Sequence, residues 1–90
     1  MLVLPAELTH AQATACSRML AQAVRSEAGS AALADASALA RFDSSALAVL
    51  LECRREALAH GKSFAVGHLP PRLRELAGLY GVAELLPAGA

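Results

Sequence analysis

The chain has no tryptophan, and one tyrosine and two phenylalanines are its only aromatic rings. Single-stranded nucleic acid is held by bases stacking on such rings, so no stacking platform is available. A basic footprint is missing too. Eight Lys and Arg balance eight Asp and Glu, and apart from Arg54-Arg55 and the Arg72/Arg74 pair the cations are scattered, which argues against nucleic-acid binding. The longest apolar run, Ala46 to Leu51, falls far short of the ~18 residues of a membrane-spanning helix, and the amino end has no charged segment leading into an apolar one. A cytoplasmic chain without direct membrane insertion is expected. Two cysteines make no disulfide framework of the small secreted kind; Cys16 and Cys53 both fall in helical patterns, where buried free thiols are expected.

Catalytic signatures are equally sparse. His10, His60 and His68 are dispersed, with no partner at metal-ligand spacing, and the isolated Gly61, Gly67, Gly78 and Gly81 form no phosphate-cradling loop. No metal, no cofactor and no enzymatic activity is expected. Ser44 has the placing of a nucleophile elbow, but Phe42 and Ala46 stand where that motif needs glycines.

What is present is alanine and leucine in ordered patterns. Ninety residues suit one domain, expected to span residues 1–90. The hydrophobic share of 56% overstates the core, because alanine buries little surface; packing falls to the leucines with Val24, Val49, Val66, Phe42 and Phe64. Met1 to Leu4, ended by Pro5, reads as a short strand. Thr9 and Gln12 have capping-box spacing, which predicts a helix from there to about Ala28-Gly29, with Ala13, Cys16, Leu20, Ala23 and Val24 on its inner face. Ser30 to Asp35 contains no β-branched residue, and propensity alone favours helix. Its bracketing by Gly29-Ser30 and the Asp35-Ala36-Ser37 turn signal points instead to a buried central strand.

Asp43-Ser44-Ser45 directly precedes an apolar-periodic run and reads as a helix start, with short oxygens accepting from unpaired backbone N–H groups. The helix is predicted over Ser45–Ala59, with Ala46, Val49, Leu50, Cys53 and Ala57 inward. Gly61 closes it in the left-handed conformation, Lys62 to Val66 forms the next strand, and Pro70-Pro71 opens a last helix. Leu73, Leu76, Ala77 and Tyr80 form the predicted inner face of that helix, and Gly81 ends it. Alternating strands and helices define an open α/β layer architecture.

The segment from Asp35-Ala36-Ser37 through Asp43-Ser44-Ser45-Ala46-Leu47-Ala48-Val49-Leu50-Leu51 resembles the STAS domains, a family named for sulfate transporters and anti-sigma-factor antagonists. Pro5-Ala6-Glu7-Leu8-Thr9 is similar to the family's Gly-Glu-Leu-Asp segment. The ending, Leu73 to Val82 followed by Leu85-Leu86-Pro87, resembles the MlaB-like branch, whose members serve phospholipid-transport ABC complexes. Ala36 and Ala46 stand where the family usually has Leu and Gly. The resemblance implies a STAS-like fold: a small mixed β-sheet covered by about three α-helices, without the family's first hairpin strand and hence with an open sheet edge, a route to self-association.

The resemblance also implies a non-catalytic protein-binding module. Contact or phosphorylation falls on Asp43, Ser44, Ser45, Ala46 and Leu47. In the MlaB-like reading the partner is the ATPase subunit of a phospholipid (lipid asymmetry) ABC transporter, which would hold the chain peripherally at the inner membrane. The alternative is an anti-sigma-factor antagonist whose Ser44 is phosphorylated by an anti-sigma kinase, adding about −2 charge beside Asp43.

Overall fold

A computed structural model describes residues 1–88. Strands β1 (Leu2–Val3), β3 (Ala31–Asp35) and β5 (Ser63–Gly67) form a three-stranded sheet in the order β1-β3-β5, and β2 (Glu7–Leu8) pairs with β4 (Arg41–Phe42) in a second, two-stranded sheet. Every strand pair among the described residues is parallel. A mixed sheet was the expectation; among the described residues each strand reaches the strand it pairs with only through a helix-containing crossover, and crossovers give parallel pairs.

The Ser30–Asp35 segment takes the central position expected of it. Ala32 and Ala34 are buried, and Ala31 to Asp35 run in register beside Ser63 to Gly67. Pairing with β5 along the whole strand, and with β1 at Ala34 and Asp35, satisfies the backbone, which outweighs the helix propensity of alanine. The open edge lies along β1, where Val3 is exposed and no described strand pairs outside it. The edge of β5 is partly covered: the Val66 N–H donates to the Pro87 carbonyl at 2.8 Å, and the buried Leu86 anchors that segment.

Helices α1 (His10–Ser26), α2 (Ser45–Ala59) and α3 (Pro71–Leu79) complete the chain, with a short 3-10 turn over Ala83–Leu85. Cys16, Leu20 and Val24 of α1 and Ala46, Val49, Leu50, Cys53 and Ala57 of α2 enter one core cluster with the strand residues. Both cysteines are free and buried. At the start of α1, the Gln12 side-chain oxygen accepts from the Thr9 N–H at 2.8 Å and from the Thr9 hydroxyl at 2.7 Å.

Helices α2 and α3 end in the same way. Gly61 and Gly81 both have φ of 71°, and the N–H of the following residue reaches back, Lys62 to the Ala57 carbonyl and Val82 to the Ala77 carbonyl, each at 2.9 Å. These are Schellman closures, which need a residue tolerant of positive φ. Tyr80, expected inward, is 61% exposed. It is the C-cap of α3, so the chain has already begun to turn toward Gly81 and its side chain no longer follows the inner stripe.

Helix α1 ends without that motif. Lys62, 9% exposed, sends its ammonium back to the Val24 carbonyl at 2.8 Å and also to the Glu27 carbonyl. A cation thus meets the negative end of the α1 dipole from the start of β5.

Candidate functional site

The turn between β4 and α2 carries Asp43 and Ser44, both exposed, and Ser45, half-buried. Ser44 was expected to help cap the helix, and it does not: its backbone is already helical, at φ −61° and ψ −17°, and its side chain makes no capping bond. The carboxylate of Asp43 takes that role. Oδ1 accepts from the Ser45 N–H at 2.8 Å, and Oδ2 accepts from the His10 N–H, the first residue of α1, at 3.1 Å. One side chain therefore caps two helices. The backbone N–H of Ser45 first, and that of His10 second, hold the Asp43 carboxyl below the ordinary carboxylate range.

Ala46 and Leu47, which the resemblance placed at the contact, are 0% and 3% exposed. Both point into the core from the first turn of α2, so in the folded chain they seat the turn and present no side chain to a partner. The exposed surface continues instead to Ala48, one helical turn beyond Ser44 on the same side. From there an open groove of about 380 Å³ runs between the helices, with Ala13, Thr14 and Ser17 on one wall and Ala48 and Glu52 on the other.

A second polar group closes the end of β3. Asp35 Oδ1 accepts from the Ser37 N–H at 3.0 Å and lies 3.4 Å from His68 Nδ1. Its carboxyl is also held low, chiefly by the Ser37 N–H. His68 adopts φ of 58°, the one positive φ outside glycine among the described residues. Dispersed in sequence, His68 gave no signal; only the register of β5 beside β3 brings it to Asp35. The groups at these turns are nonetheless few. Among the described residues no three His, Cys, Asp or Glu side chains converge in a way that would hold a metal ion, and no helix is long and apolar enough to cross a membrane.

Parallel strands joined through helices, with Asp43 and Ser44 exposed at the turn that opens the second helix, define a domain of the STAS class, whose members interact with partner proteins. The family model described as "Mlab, STAS domain" matches residues 1–87, and the chain belongs to that family. No curated protein matches it. Among solved structures it is similar to the anti-sigma factor antagonist SpoIIAA in its unphosphorylated form, with a TM-score of 0.74, covering 98% of this chain and 76% of that one. Sequence identity is 19%, so that likeness speaks for the fold.

Proposed function

We propose that the chain is a non-catalytic docking module that binds and supports the ATPase subunit of a phospholipid ABC transporter, with the Asp43-Ser44-Ser45 turn at the contact. The observation that carries this reading is the family match over residues 1–87. The geometry supports it, since the exposed Ser44 hydroxyl has no capping duty and is free for a partner. The chain then acts in the cytoplasm, reaching the membrane only through the complex. Co-purification with the tagged ATPase tests it. Wild-type chain should be retained, and Ser44→Glu should lose roughly 2 kcal/mol or more of affinity by burying an unpaired carboxylate. Retention of Ser44→Glu at wild-type yield would remove Ser44 from the interface.

A second reading is favoured by the SpoIIAA-like fold together with that free hydroxyl. In it the chain is an anti-sigma-factor antagonist and its partner is a kinase that phosphorylates Ser44. Incubation with the candidate kinase and ATP, followed by mass spectrometry, separates the two: phosphate on Ser44 supports the second reading, and its absence with tight ATPase binding supports the first.

A further inference from the structure

Residues 6–10 are tied at several points to residues 40–43, which lead into the turn that carries Ser44. The Ala6 carbonyl accepts from the Ala40 and Arg41 N–H groups at 2.8 and 2.9 Å. Glu7 lies 3.7 Å from the Arg41 guanidinium and accepts from Gln12 Nε2 at 2.8 Å, while β2 runs beside β4. The bond from the His10 N–H to Asp43 differs from these, because the other oxygen of the same carboxylate orders the Ser45 N–H. A group that draws Asp43 away from the turn would release two helix starts together.

We propose that Asp43 is a conformational latch, through which engagement of the Ser44 turn is transmitted to the first turn of α1. A partner's cation would attract this exposed carboxylate, and a phosphate on Ser44 would repel it. In either case the His10 amide is freed. The turn it starts walls a second groove of about 380 Å³, lined by Pro5, Ala11, Ala15 and Met19 among others, so contact at α2 alters a surface on α1. His10 is the ionisable group of α1 that faces Asp43, and the nearby Glu7 and Arg41 are paired with each other. The regulatory sense of the latch rests on the Ser44 turn being the contact, but its physical test needs no partner.

Amide hydrogen exchange by NMR on the whole chain supplies that test. In Asp43→Ala, exchange at His10 and Ser45 should rise together by about tenfold or more, as expected for the loss of hydrogen bonds to a charged acceptor. The β3 amides should stay as protected as in the wild type. Asp43→Asn keeps one acceptor oxygen, so it should free one of the two amides and spare the other. Ser44→Glu should shift the His10 resonance as well as those of its own turn. Faster exchange at Ser45 with His10 unchanged in Asp43→Ala, or an unmoved His10 resonance in Ser44→Glu, would overturn the latch. Should Asp43→Ala fail to fold, acid titration of the wild type decides. His10 and Ser45 amide shifts that follow one shared transition support the latch, and two separate transitions overturn it. Loss of ATPase co-purification in Ser44→Glu with His10 unmoved would remove the latch alone and leave the docking reading standing.

Discussion

With the cap of α2 on Asp43, two adjacent residues of similar polarity respond differently to substitution. Ser44→Ala removes a hydroxyl with no capping partner, and its stability should stay within about 0.5 kcal/mol of wild type, as at an ordinary surface position. Asp43→Ala strips a carboxylate from two backbone donors and should melt clearly below Ser44→Ala; equal melting temperatures would return the cap to Ser44. The cysteines make a different case at the same scale. Burial raises the pKa of both thiols, pushing Cys53 up to about 12, so almost no thiolate exists at neutral pH. Labelling of the native chain by a thiol reagent should proceed no faster than its unfolding. Cys16→Ser and Cys53→Ser should change stability and leave partner binding intact, as measured by melting and co-purification of the same samples.

At the scale of elements, the parts of the fold written in local chemistry are legible in the sequence, and those that depend on distant contacts are not. The Thr9–Gln12 start of α1, Pro71 at the start of α3 and the glycines that close α2 and α3 all act within a few residues of themselves. Strands β2 and β4, two residues each, leave no period to read. The Asp43–His10 bond, the Asp35–His68 contact and the Lys62 cap on α1 join segments far apart in the sequence, and nothing in their own neighbourhoods announces them. Lys62 gives the measurable consequence. Lys62→Met keeps the aliphatic stem but leaves the Val24 and Glu27 carbonyls without their cation, and urea unfolding should show a loss of about 1.5–3 kcal/mol. The two turn carboxylates, Asp35 and Asp43, weaken the fold in acid. Asp35 and Asp43 ionise more readily folded than unfolded, so the stability they add is present above the unfolded Asp pKa of about 3.9 and is lost as pH falls through their lower folded values. Melting temperature should drop less steeply below pH 4 in Asp43→Asn than in the wild type.

For the whole molecule, a chain of 90 residues buries only about 60–65% of its unfolded surface, and part of this core is filled by small alanines among the leucines. Val3, Met19, Leu79 and Tyr80 remain exposed as well. Such a domain has little stability in reserve, and a partner that binds only the folded form adds to it by mass action. In the docking reading the nucleotide belongs to that partner. The isolated chain should therefore give no saturable heat with ATP in calorimetry, and saturable binding at micromolar concentration would remove the non-catalytic assignment while leaving the fold untouched. Adding the ATPase at about 100 times its dissociation constant should then stabilise the chain by about 2.7 kcal/mol. Amides of β3 that exchange only through global unfolding would slow by about 100-fold. The Ala34 amide reports this best, because that residue is fully buried and lies between Leu2 of β1 and Val66 of β5. Protection confined to the Asp43–Ser45 turn, with β3 exchange unchanged at saturating ATPase, would show a contact that is not coupled to folding and would defeat this expectation.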